Sequence, residues 1–125
     1  MKNSSKILVV DDFETNILLL KTILSEAGFS VKMAYSGGEA LTLINREKPD
    51  LILLDILMPG LSGMEVLEKI KSDEITKNIP VIMITAIHEL KSVRYAMEQG
   101  ACDYIKKPII RDELLDKISG VLNTA

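Results

Sequence analysis

Short apolar runs rich in Ile, Leu and Val recur along this chain, and longer stretches with apolar residues at helical spacing separate them. The runs predict strands over Lys6–Val10, Ser30–Ala34, Leu51–Leu54, Val81–Ile84 and Asp103–Ile105. Four are followed by a helical pattern, and a fifth helix closes the chain. Boundary signals agree with this division. Ser36 and Glu39 precede "ALTLI", and Ser62 and Glu65 precede "VLEKI", both at the spacing of a capping box. Gly28 and Gly100 stand where a helix needs a left-handed stop, and Pro80 and Pro108 punctuate loops. Repeated strand-then-helix units imply a mostly parallel sheet with helices on both faces. With no linker, repeat or low-complexity tract inside it, residues 1–125 are expected to form one domain.

One run breaks its own pattern. In "LILLDILMPG", seven of the eight residues from Leu51 to Met58 are apolar, and the other is Asp55. A lone ionised carboxylate is costly to bury. Ligands of an open parallel sheet bind beyond the carboxyl ends of its strands. Asp11, Asp12, Asp55, Thr85 and Lys107 all fall at such ends. Singly, each has a plain reading: either aspartate of the pair as a helix cap, Thr85 as a turn hydroxyl, Lys107 as a solvated cation, Asp55 as a loop residue bonded to nearby amides. Together they describe a site. Crowded carboxylates repel unless a cation is bound, and a few hard oxygen ligands suit Mg²⁺ better than Ca²⁺ or Zn²⁺. A carboxylate beside such an ion, a lysine and a hydroxyl is a suitable nucleophile for a phosphoryl group, giving an acyl phosphate.

Composition narrows the rest. Hydrophobic residues make up 47% of the 125 residues and charged residues 26%, as in ordinary globular proteins. A net charge of −3 argues against direct nucleic-acid binding. No apolar run approaches membrane-spanning length, and "MKNSSKILVV" lacks a signal peptide's apolar region, so a cytoplasmic location and no membrane partner are expected. The one cysteine, Cys102, is expected to be a small buried residue, and the one histidine, His88, a solvated loop side chain.

The stretches "ILVVDD" at 7–12, "DLILLDILMPGLSG" at 50–63, "IPVIMITA" at 79–86 and "GACDYIKKP" at 100–108 resemble the receiver domain of bacterial two-component response regulators, over essentially the whole chain. The resemblance implies a chemotaxis-type, flavodoxin-like, doubly wound α/β fold: a five-stranded parallel sheet of strand order 2-1-3-4-5, with five helices. It implies that Asp55 is the phosphoacceptor. Asp11 and Asp12 would organise Mg²⁺, with Asp55 and the Leu57 backbone carbonyl as further ligands. Thr85 would bond the phosphoryl group, and Lys107, which directly precedes Pro108, would match the family lysine across a cis peptide. Thr85 and Tyr104 would form the switch that alters the helix 4, strand 5 and helix 5 surface. Such a protein is a signalling receiver rather than an enzyme in the ordinary sense. Its partners would be a histidine kinase or histidine phosphotransfer protein, and a downstream effector or attached output domain. Leu57 and Ile87 would flank the path of a hydrolytic water. Ser62 departs from the Asp common there and still suits a cap. Asp103 and Lys117 match part of a charged dimer face, but Val93 stands where that face often has a basic residue, so the oligomeric state stays open.

Helix 1 carries a further clue. A core stripe through Asn16, Leu19, Leu20, Ile23, Leu24 and Ala27 leaves Ile17 and Leu18 off the stripe, with Phe13 at the mouth of the site. These three are candidates for a partner surface. Rival readings lack their own signatures. A flavin or nucleotide domain needs a Gly/Ser/Thr-rich loop where this chain has "DDFET". An aspartate-based phosphohydrolase would carry an Asp two residues after its first-strand nucleophile, where this chain has Phe13. A degenerate receiver would not keep the complete acidic, hydroxyl and lysine set.

Overall fold

A computed structural model describes residues 5–86 and 90–123. Its elements run β1 (Lys6–Val10), α1 (Glu14–Glu26), β2 (Ser30–Ala34), α2 (Gly37–Arg46), β3 (Leu51–Asp55), α3 (Gly63–Ser72), β4 (Val81–Thr85), α4 (Leu90–Glu98), β5 (Asp103–Lys106) and α5 (Arg111–Asn123). The strands form one parallel sheet in the order β2-β1-β3-β4-β5. This is the flavodoxin-like architecture expected from the sequence. β3, β4 and β5 each extend one residue further than predicted, to Asp55, Thr85 and Lys106. The ladder runs through main-chain groups, so a polar side chain at its end does not stop it.

Side-chain alternation divides the core into two layers. Ile7, Val9, Leu51, Leu53, Ile82, Ile84 and Ile105 pack with α1 and α5. Leu8, Val10, Ile52, Leu54, Val81 and Met83 pack with α2, α3 and α4. The same period carries Asp11 and Asp55 onto the α1/α5 face, two residues beyond Val9 and Leu53. Register then brings them side by side, because Val10 is paired with Leu54 and Asp55 with Ile84.

Helix ends follow their local chemistry. α3 has a complete capping box: Glu65 N–H donates to Ser62 Oγ, and Ser62 N–H donates to the Glu65 carboxylate. α2 has half of one. Ser36 Oγ accepts from Glu39 N–H, but the Glu39 carboxylate accepts from Tyr35 N–H instead. Gly28 (φ 97°) and Gly100 (φ 115°) take the left-handed conformation after α1 and α4, as expected. Cys102 is exposed, a correction to its expected burial. It lies just ahead of edge strand β5, which has sheet on one side only. Among the described residues, no helix is long and apolar enough to cross a membrane.

α1 corrects the sequence reading more substantially. Its buried residues are Ile17, Leu20, Ile23 and Leu24, with Ile17 at 0% exposure. Leu18 (52%) and Leu19 (44%) face outward. The stripe is therefore turned toward Ile17, which leaves the candidate partner surface and joins the core. Half-buried Asn16 sits at the rim, where its side-chain amide donates to Asp11 Oδ2 at 3.2 Å. That bond fixes the rotation of the first turn. Accordingly, Ile17→Ala should lower unfolding stability by about 2–4 kcal/mol, the range for a core Ile that leaves a cavity. Leu18→Ala should change it by about 0.5 kcal/mol or less. Urea denaturation of the two variants distinguishes this phase from the predicted one, in which both residues lie off the core stripe and both changes would cost little.

Candidate phosphoryl-acceptor site

The carboxyl ends of β1, β3, β4 and β5 meet in a cleft lined by Asp11, Asp12, Asp55, Leu57, Thr85 and Lys107, with Phe13 and Asn16 at its α1 side. Asp11 is buried and doubly held. Its Oδ1 accepts from Phe13 N–H at 2.9 Å, and its Oδ2 accepts from Asn16. Asp12, next along the chain, is exposed. Asp55 is only 4% exposed. Ligand atoms of these three carboxylates all lie within 4.8 Å of one another. Lys107 Nζ is 3.4 Å from Asp55 Oδ1. The Lys107–Pro108 peptide is cis, as the resemblance implied. Thr85 is buried, and its hydroxyl donates to the Ala86 carbonyl at 3.0 Å.

Burial and charge crowding act on Asp55 in the same direction. Its pKa is pushed up to about 6, first by removal from water and second by the charge on Asp11. The Lys107 ammonium, and to a smaller extent the nearby N–H of Leu57, oppose this incompletely. The donor set is three hard carboxylates with one lysine beside them. It suits a small divalent cation, which would supply the positive charge that Lys107 alone does not.

Tyr104, on β5, is half-buried against the α2–α4 layer of the core and is paired with Met83, two residues before Thr85 on β4. Lys117 Nζ lies 4.9 Å from the centre of its ring and also bonds the Tyr104 carbonyl at 2.5 Å and Asp103 at 3.4 Å. Asp103 and Lys117, whose positions resemble part of a dimer face, thus pair within the chain. Phe13 and Leu18 are exposed near the cleft and along α1. Ile87 and His88 lie outside the described residues. Asn16 was missed as a site residue. Its signal was available, as an amide interrupting an apolar helical stripe five residues after an aspartate.

The family model for the response regulator receiver domain matches residues 7–119. The chain is 43% identical to the response regulator PleD of Caulobacter vibrioides over 106 residues, which are 85% of this chain and 23% of PleD. It therefore spans about a quarter of that relative. It is 37% identical to sporulation initiation phosphotransferase F of Bacillus subtilis, over 95% of this chain and 94% of that one. The crystal structure of the receiver domain of NtrX from Brucella abortus superposes with a TM-score of 0.90 at 35% identity, covering 95% of this chain and 99% of the other.

Proposed function

The chain belongs to the response regulator receiver family, and on that premise we propose that Asp55 accepts a phosphoryl group from a phosphohistidine donor within a two-component or phosphorelay system. The observation that carries this assignment is a buried carboxylate at the strand ends, flanked by Asp11 and Asp12, with a lysine 3.4 Å away. An Asp55 oxygen attacks phosphorus, the P–N bond to the donor imidazole breaks, and the P–O bond of an acyl phosphate forms. Asp11, Asp12, Asp55 and the Leu57 carbonyl would hold Mg²⁺, which supplies charge neutralisation on the transferring oxygens. Lys107 stabilises the same charge from the other side, and the Thr85 hydroxyl turns from Ala86 to the phosphoryl oxygens. That movement opens space for Tyr104 and alters the surface of α4, β5 and α5. The chemistry is that of a signalling receiver that takes part in its own phosphorylation, one domain of a cytoplasmic pathway. Its upstream partner is a histidine kinase or phosphotransfer protein that docks near Phe13 and Leu18. Downstream is an effector or an output domain.

The test is intact mass and peptide mapping after treatment with acetyl phosphate and Mg²⁺. One phosphoryl group should map to Asp55 and be missing from Asp55→Asn. Equal labelling of that variant would falsify the assignment. Exposed Leu57 lines the cleft and has no group to orient a water behind phosphorus. Leu57→Asn should therefore release phosphate several-fold faster from labelled protein. Unchanged release would remove apolar shielding by Leu57 as the control on lifetime.

A further inference from the structure

Helix α3 begins against the main chain of the acceptor residue. A Cβ placed on Gly63, the first residue of α3, would lie 1.9 Å from the Asp55 carbonyl oxygen, 2.8 Å from its carbonyl carbon and 2.9 Å from Ile56 Cα. These are backbone atoms of the sheet's edge and cannot yield as a flexible side chain would. The helix N-terminus occupies that position only because residue 63 has no side chain.

The contact is bonded as well as close. Gly63 N–H donates to the Ile56 carbonyl at 3.0 Å. That carbonyl and the Leu57 N–H belong to one planar peptide, so fixing one end fixes the other. The Leu57 N–H lies close enough to the Asp55 carboxylate to lower its proton affinity. The start of α3 is therefore held both against the Asp55 main chain and, through the Gly63–Ile56 bond, to the peptide whose N–H acts on the acceptor side chain. The α3 end of this connection is secured by the Ser62–Glu65 capping box. On the sheet side, Ile56 N–H donates to the Ile84 carbonyl of β4 at 3.1 Å, continuing the ladder past Asp55.

The geometry points to Gly63 and Ser62 as positioning residues for phosphorylation: the capped N-terminus of α3 orients the Ile56–Leu57 peptide, and that peptide orients Asp55. This rests on Asp55 being the acceptor. It adds residues that touch neither phosphoryl group nor cation. The cost of misorientation is felt at the reaction, because misplacing a nucleophile by an ångström or less costs on the order of 100-fold in rate.

The experiment measures phosphorylation of the full chain by acetyl phosphate at saturating Mg²⁺, together with urea stability and the half-saturating Mg²⁺ concentration. Gly63→Ala should slow the saturated rate by on the order of 10- to 100-fold. Gly37→Ala is the matched control. A Cβ there would lie 2.7 Å from Val66 Cγ2 and 2.9 Å from the Leu61 carbonyl oxygen, also crowded, though less tightly, and on the α2 side of α3. It should lose stability and keep a rate close to wild type. Ser62→Ala should slow the rate several-fold, and Ser62→Thr, which restores the cap, should recover it. That rescue holds the proposal open to test even where Gly63→Ala does not fold. The proposal is overturned if folded Gly63→Ala reacts at the wild-type rate, if Gly37→Ala slows as much, or if Ser62→Thr fails to recover what Ser62→Ala loses. Failure of the wild-type chain to label would instead sink the acceptor assignment itself.

Discussion

Removing divalent cations with a chelator should slow phosphorylation of Asp55 by on the order of 1000-fold, and Asp12→Asn should reproduce much of that loss at low Mg²⁺. The reason is charge. Three carboxylates already converge within 4.8 Å of one another. An incoming phosphoryl group would bring further negative oxygens to the same point. The nearby cation in the protein is Lys107, 3.4 Å from Asp55, and its side chain is about one-third exposed to screening solvent. Lysine at that distance does not offset three like charges and a developing fourth, whereas a dication bound directly by the carboxylates does. Several kcal/mol of transition-state stabilisation is a reasonable measure of that difference, and each 1.4 kcal/mol is about tenfold in rate. Asp12 is the exposed member of the cluster, so its replacement should disturb the fold little while weakening cation binding. The measurement is the initial rate of mass-detected labelling across a Mg²⁺ titration. Metal-independent labelling at the wild-type rate would show that Lys107 and the protein dipoles suffice.

Asp55→Asn should make the metal-free protein more stable at pH 8, by about 3 kcal/mol. In the folded chain, burial first and the charge of Asp11 second raise the Asp55 pKa from 3.8 to about 6. The unfolded chain has the ordinary value. A raised pKa means that the folded state holds its proton more tightly than the unfolded state. The stability linked to that proton is complete below about pH 4 and is lost as pH rises through about 6. Above that window the folded protein carries a buried charge that it disfavours, and the neutral amide relieves it. The advantage of the variant should therefore be absent at pH 3.5 and grow between pH 4 and 6. It should stay constant at higher pH. Saturating Mg²⁺ should narrow it, because the ion binds the folded wild type and not the unfolded chain. Urea denaturation at several pH values checks each part. A variant of equal stability at pH 8 would mean that Lys107 and the Leu57 N–H compensate the charge in full. The same numbers imply a functional cost at low pH: below about pH 6 a proton competes with the cation for Asp55, and phosphorylation should fall.

Much of this was legible in the chain because it depends on local periods. Short apolar runs rich in Ile, Leu and Val marked the strands, and apolar spacing near 3.6 marked the helices. Strand ends are also where a parallel sheet exposes its binding edge, so Asp11, Asp12, Asp55, Thr85 and Lys107 could be gathered before any distance was known. The Ser62–Glu65 cap and the left-handed glycines at 28 and 100 were equally local. Other features were decided by neighbours far away in sequence. Ile17 and Leu18 are adjacent, equally apolar and both compatible with a helix. Packing on the sheet and the bond from Asn16 to Asp11 bury one and expose the other. The raised proton affinity of Asp55 comes first from its burial at the strand ends and second from Asp11 beside it, which is a matter of register between β1 and β3. Gly63 reads in the sequence as an ordinary residue opening a helix, and only the approach of α3 to the Asp55 carbonyl makes a side chain there impossible. Sequence thus determined which groups stand at the working edge, since that follows from where each apolar run ends. Tertiary structure decided their protonation, their orientation and which apolar face is free, since these depend on atoms brought together across the sheet.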